Sequence, residues 1–214
     1  MLRDWGRLAS LTGVAFAVLL FVGGLVVGGS TPDSDASAQH VVTFYESHRG
    51  SQQASVFLIA YALVFGLFFA AALRSFLRSR STEHSLIGLG VSGMTVLAVG
   101  GATIAGINFA AADVPGKISP TAEQALNVLQ NDVFFGLLIG TAVFLIGNGL
   151  AIARSAALPR WLGWVAFAFG IVAVTPIGWI VLIIALPLWS LIVSALMFLR
   201  QAAPAPAVAA PAAG

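Results

Sequence analysis

The stretch WLGWVAFAFGIVAVTPIGWIVLIIALPLWSLIVSALMFL, residues 161–199, decides the fold. It runs for 39 residues without Asp, Glu, Lys or Arg. A membrane helix needs about 20 apolar residues to cross about 30 Å of hydrocarbon. The stretch is too long for one crossing and long enough for two. Thr175-Pro176-Ile177-Gly178 supplies a turn near its middle. The predicted element is a membrane hairpin, with spans at about 159–175 and 178–199.

Four further charge-free stretches precede it: 8–32, 50–73, 84–112 and 133–153. Each fits one crossing, at about 9–29, 53–74, 85–109 and 132–153. The expected fold is all-α: a polytopic membrane bundle of six transmembrane helices plus two short outer interfacial helices. One transmembrane domain covers 1–201, and the Ala/Pro stretch 202–214 is read as a disordered tail. Composition agrees. Of 214 residues, 59% are hydrophobic and 8% charged, with mean hydropathy +0.98. A soluble domain carries about 25% charged residues. Residues 1–38 also have signal-peptide features, with Ala36-Ser37-Ala38 as a cleavage pattern. The apolar core is long and that pattern lies well past its end, which favours an uncleaved first helix.

Basic residues set the orientation. With the N-terminus in the cytoplasm, Arg3, Arg7, Arg74, Arg78, Arg80, Arg154, Arg160 and Arg200 face inward, and only Arg49 and Lys117 face outward. The C-terminus is then also cytoplasmic. Trp5, Trp161 and Trp164 fall at the inner interface and Trp179 at the outer one. Trp189 is the exception, halfway along the last span.

The two outer segments are the only long polar ones. Within 30–53, a turn at Thr31-Pro32-Asp33 precedes a stretch that can be helical over 36–53, with Val41, Val42, Phe44 and Tyr45 on its apolar side. Within 110–131, Ser119-Pro120 reads as a helix N-cap followed by proline at the first helical position. Small-xxx-small spacings mark helix contacts: Gly24 and Gly28; Ala62, Gly66 and Ala70; Ala98, Ala102 and Gly106; Gly136 and Gly140. They read as packing within one bundle, with a homodimer face as the alternative. Spans two, four and six each end in arginine, which inward-ending helices do without any internal repeat.

Candidate functional residues are few. No span holds a charged residue, which counts against ion-coupled transport. Asn108 and Asn148 are polar groups that face other helices, Asn148 between Gly147 and Gly149. Pro187 removes a backbone bond to Ile183 and reads first as a structural kink in the last span; the alternative is that the freed carbonyl beside Trp189 walls a hydrophobic pocket. The outer cluster is Tyr45, Glu46, His48 and Arg49, with Glu46 and Arg49 spaced to pair on a helix, and Asp132 on the same side. No catalytic motif, metal-ligand set or cofactor motif is present, and cysteine is absent. The scattered basic residues give no support for nucleic-acid binding. Expected partners are membrane lipids, and a membrane-protein partner or a second copy of the chain. The leading reading is a non-enzymatic binding or accessory protein for an apolar ligand. A small passive transporter or channel lined by Asn108 and Asn148, and an outer-face enzyme using Glu46, His48 and Asp132, are the alternatives.

The junction Leu158-Pro159-Arg160-Trp161-Leu162-Gly163, following Leu150-Ala151-Ile152-Ala153-Arg154, resembles bacterial multi-pass membrane proteins common in actinobacteria. The outer stretch Ala125-Leu126-Asn127-Val128-Leu129-Gln130-Asn131-Asp132 is similar to theirs as well. This resemblance to a domain of unknown function implies a six-span fold in a bacterial inner membrane, and no activity. A reporter fused after Arg200 is expected to behave as cytoplasmic in a bacterial host. A periplasmic signal there would show the span count wrong by one.

Overall fold

The computed structural model describes residues 8–155 and 157–202. Arg3, Asp4, Trp5 and Arg7, and the tail from 203 onward, lie outside the described residues. The chain is a membrane helix bundle, and among the described residues there is no strand. Helix α1 is Thr12–Phe21 and continues as a π-helical turn, Val22–Val27. Then come α2 (Ala38–Arg78), α3 (His84–Asp113), α4 (Pro120–Asp132), α5 (Phe135–Arg154) and α6 (Arg160–Val172). The last helix, α7, is built from Gly178–Ile180, a π-helical turn Val181–Ala185, and Leu186–Ala202. Five helical stretches are long and apolar enough to cross a membrane: Leu8–Val27, Ala38–Arg78, His84–Asp113, Pro120–Arg154 and Gly178–Gln201. The sixth, Arg160–Val172, is shorter.

Three features bear on the sequence expectation. First, the segment over 36–53 is not a separate interfacial helix. Ser37 caps it, its Oγ accepting from the His40 N–H, and α2 then runs unbroken for 41 residues. The change from polar to apolar side chains near Gln53 is a change of solvent. It breaks no backbone hydrogen bond. About 16 residues therefore stand roughly 24 Å beyond the apolar span, at 1.5 Å per residue. Second, α4 and α5, which the sequence already allowed to run into one another, are separated only by a turn at Val133 and Phe134. Third, α6 has 13 residues and covers only about 20 Å. Pro176 stops it early, and Pro159 sets its start. The backbone before it, between Arg154 and Arg160, is non-helical. Ala157 and Leu158 are buried there, and Arg200 Nη1 donates to the Ala157 carbonyl at 2.6 Å.

Pro187 has the effect its chemistry requires. Its missing N–H and bulky ring fall just after the π-helical turn Val181–Ala185, which absorbs the mismatch in the backbone ladder.

The helices form a ring in the order α7, α1, α2, α3, α5, α6. Every neighbouring pair packs along its length except α6 and α7, which meet chiefly at the π-helical turn. The broadest contact is α3 against α5. Glycine permits it. A Cβ on Gly140 would lie 2.2 Å from the Leu97 backbone nitrogen, and one on Gly93 would lie 2.2 Å from that of Phe144. Gly147 meets Gly90, and Gly100 meets Gly136, in the same seam. Gly136 and Gly140 were expected here. On α3, however, the stripe Ala98, Ala102 and Gly106 is not the contact. Ala102 and Gly106 face outward, and a Cβ on Gly106 would meet nothing within 4 Å. The expected Ala62, Gly66 and Ala70 face is buried, with Gly66 against Phe16 and Met94.

The described arginines other than Arg49 gather at one end of the bundle, here called the arginine end. The other is the cap end, where α4, the projecting part of α2 and the tip of α3 enclose a second small core of Val41, Tyr45, Ala111 and Ala112.

Gly140→Ala and Gly106→Ala make the same chemical change in opposite surroundings. The first is expected to cost about 1–3 kcal/mol of bundle stability through overpacking. The second is expected to stay within about 0.5 kcal/mol of the parent. Unfolding midpoints in detergent would compare them.

Candidate functional site

Three places in the structure hold polar or hollow features that packing alone does not require. The cap is the most polar. Here Tyr45 Oη donates to Gln130 Oε1 at 2.8 Å and lies 3.4 Å from Asn127 Oδ1. Asn127 Nδ2 donates to the carbonyls of Pro32 and Asp33, and Asn131 Nδ2 to that of Pro32. Gln124 Nε2 donates to the Ala36 carbonyl at 2.7 Å. The loop before α2 is thus strapped onto α4 by amide side chains.

Inside this strap sits Glu123. It is 0% exposed, and neither carboxylate oxygen has a hydrogen-bond partner. Burial pushes its pKa up, and the charge of Glu46 pushes it further. Burial, and then the charge of Glu123, also push the Tyr45 hydroxyl up. A buried carboxyl without a partner is stable only when neutral or when a cation reaches it. Sequence reading passes over Glu123 because an acid in the first turn of a helix is an ordinary dipole partner. Its burial is tertiary: α4 packs against α2 and α3, with Tyr45 and Glu46 of α2 near enough to interact with it electrostatically.

The outer cluster assembles differently from its expectation. Arg49 does not pair with Glu46. It donates to Asp113 Oδ1 at 2.6 Å, while Lys117 Nζ reaches Asp113 Oδ2 at 3.3 Å. Lys117 and then Arg49 hold the Asp113 carboxyl below its ordinary range. Glu46 is exposed, near the Gly116 turn. His48 is exposed, with Nδ1 2.9 Å from Ser47 Oγ and 3.0 Å from the Phe44 carbonyl, and its ring stacks on Phe44. Asp132 accepts from Ser34 Oγ at 3.2 Å. Glu46, His48 and Asp132 therefore do not converge.

The second feature is an interior cavity of about 160 Å³ between α1, α2, α3, α5 and α7, lined by Leu63, Leu97, Leu137, Leu182 and Asn108. Asn108 Nδ2 donates to Gln52 Oε1 at 3.1 Å, and Gln52 Nε2 donates to the Gly28 carbonyl at 2.6 Å. Ser55 Oγ donates to the Gly23 carbonyl at 2.7 Å. These side chains satisfy the carbonyls left over where α1 ends in its π-helical turn. Gln52 was not singled out in the sequence. Asn108 Oδ1 remains buried without a partner. Asn148 is elsewhere. It donates to the Phe144 carbonyl in its own helix and packs on Gly90, 18 residues from Asn108 and about 27 Å along α3. The two asparagines line no common path.

The third feature is an apolar groove of about 460 Å³ at the open α6–α7 seam. Its walls include Trp161, Val165, Phe169, Ile180, Ile184 and Leu188. Trp189 also lines it, 2% exposed. Its Nε1 donates to the Leu162 carbonyl at 3.2 Å and its ring sits edge-on to Phe144 at 5.8 Å. Pro187 is buried and does not line the groove. Of the two residues expected at a pocket here, Trp189 lines the groove and Pro187 does not. Among the described residues, no group of three or more His, Asp or Glu side chains could hold a metal ion.

Compared with family models, with curated proteins and with solved structures, the chain matches none.

The cap makes a pH prediction with a definite sign. The carboxyl of Glu123 titrates higher folded than unfolded, where it titrates near 4.5. Its stabilising protonated form is whole below that value and is lost as pH rises through the raised folded pKa. Melting of the full chain in detergent is expected to weaken over that window, and Glu123→Gln is expected to flatten the trend. A parent and variant with parallel pH curves would refute it.

Proposed function

We propose that the chain is a multi-pass protein of the bacterial cytoplasmic membrane that holds an acyl chain of a membrane lipid in the α6–α7 groove. It acts as a binding or accessory protein and not as an enzyme. The observation that carries this reading is the open seam in an otherwise closely packed ring. The groove is within the ordinary size range of ligand sites, about 300–1,000 Å³. Its mouth is formed by residues exposed on the lateral surface, among them Trp161, Ile180, Ile184 and Leu188. Such a mouth opens toward the hydrocarbon that surrounds a membrane bundle. Its lining offers an extended hydrocarbon dispersion contacts and no polar group that would have to be paired. The 13 residues of α6 make a slot about 20 Å long, suited to an extended chain.

Orientation belongs to the same proposal. The arginine end faces the cytoplasm and the cap faces outward, because translocated segments carry few basic residues. The bacterial host rests on the resemblance carried by 158–163.

The test is photo-crosslinking of a lipid with a diazirine-bearing acyl chain to the full chain in nanodiscs. Label is expected on α6 and α7. Ile184→Trp fills the groove, and is expected to reduce that label roughly fivefold or more, a loss on the order of 1 kcal/mol. Val64→Trp, on the exposed face of α2, is expected to leave it unchanged. Uniform labelling around the bundle, or label indifferent to Ile184→Trp, would remove the proposal.

A further inference from the structure

A third hollow lies at the arginine end, and its chemistry is the opposite of the groove's. It is a cleft of about 500 Å³ lined by Arg78, Arg80, His84, Arg154 and the hydroxyl residues Ser79, Ser81, Thr82 and Ser155. Three guanidiniums thus share one concavity. The sole acid paired with any of them among the described residues is Glu83, 3.6 Å from Arg154 Nη1. The cleft therefore carries an excess of two positive charges. All three arginines are exposed, so water screens their mutual repulsion, and the excess charge is free to attract an anion.

Two of the three arginines are also braced. Arg80 lies over the Phe76 ring at 4.1 Å, and its Nη1 donates to the Phe76 carbonyl and to Ser79 Oγ. Arg154 is braced by Glu83. Arg78 has neither brace and remains exposed, free to close on a ligand. The α2–α3 loop adds to this. Ser81 Oγ accepts from the Glu83 N–H, so its own proton can be donated to a ligand. No side chain caps the first turn of α3, which begins at His84 in the cleft wall.

We infer that this cleft binds a phosphate group. A phosphate monoester carries about −1.5 to −2 charges near neutral pH and presents three strong acceptor oxygens. That matches the excess charge of the cleft and its supply of guanidinium and hydroxyl donors. Planar guanidiniums grip phosphate oxygens in pairs, which a lone chloride cannot exploit. The phosphate comes either from a lipid headgroup or from a free phosphorylated solute. This inference stands apart from the α6–α7 groove and survives if that groove proves empty.

The test uses the full chain in two arms. In detergent, inorganic phosphate is titrated against chloride at matched ionic strength, with thermal unfolding as the readout. In nanodiscs, phosphatidylcholine alone is compared with phosphatidylcholine containing phosphatidic acid. A saturable stabilisation is expected in at least one arm, and the responding arm identifies the source. Arg78→Gln is expected to weaken the response roughly tenfold, the usual loss for a charge-assisted contact. Arg154→Gln should do the same, and because Arg78 is exposed and makes no ion pair among the described residues, its variant reports even if the other fails to fold. Arg160→Gln removes the same charge from the same end but outside the cleft, and is expected to leave the response intact. No saturable shift in either arm, an equal effect of chloride, or an equal loss in Arg160→Gln would overturn the inference.

Discussion

Helices in hydrocarbon gain nothing by hiding leucine from leucine, so the bundle depends on how closely two backbones can approach. The contact of α3 with α5 is the place where that approach is closest. Gly93 and Gly140 each leave room for a backbone nitrogen of the other helix, and no side chain larger than hydrogen could share that space. The same device continues at Gly149 and Gly163, between α5 and α6. A continuous wall of α3, α5 and α6 results. Helices α1 and α2 extend it on one side through Gly13, Gly23 and Gly66. The remaining edge of the wall, between α6 and α7, has no such seam, and that is where the groove lies.

Polar groups follow a rule imposed by the same solvent. Inside the apolar zone, the hydroxyls of Ser92, Thr95 and Thr103 bond to carbonyls one turn back in their own helix. That costs little and requires no partner. Amides cannot be hidden so simply. Asn108 and Gln52 meet each other where α1 ends, and Asn148 is tucked against a glycine. Among the described residues the carboxylates stay near the two ends, and Glu123 at the cap is the one buried without a partner. Burial and the charge of Glu46 raise its pKa, which makes the cap sensitive to pH.

Much of this was legible in the order of residues, because charge is excluded from oil. The charge-free stretches locate the spans, and Pro176 and Pro187 locate the turn and the kink. What could not be read was which face of each helix turns inward. Helix α3 carries small residues on every side, with Gly90, Gly93 and Gly100 on one face and Ala98, Ala102 and Gly106 on others, so spacing alone cannot choose between them. The boundary at Gln53 was misplaced because a change of polarity was taken for a break in the helix. Arg49 was assigned its neighbour Glu46 because local spacing is visible, while the loop that brings Asp113 to it is 64 residues away. Glu123 was missed for the same reason.

The short α6 ties these themes together. Helix α6, at 13 residues, is about 20 Å long, and the irregular backbone before it, with Ala157 and Leu158 buried, lies at the arginine end between Arg154 and Arg160. Helix α7 supplies two donors there: Arg200 to the carbonyl of Ala157 in that backbone, and Trp189 to the carbonyl of Leu162 in the first turn of α6. These bonds hold α7 to the start of α6, and the π-helical turn of α7 meets α6 again. Between those two attachments the helices need not touch. The groove is thus the space left between two attachments of α7 to a short α6. Lengthening α6 would give α7 a full-length partner, against which the seam could close.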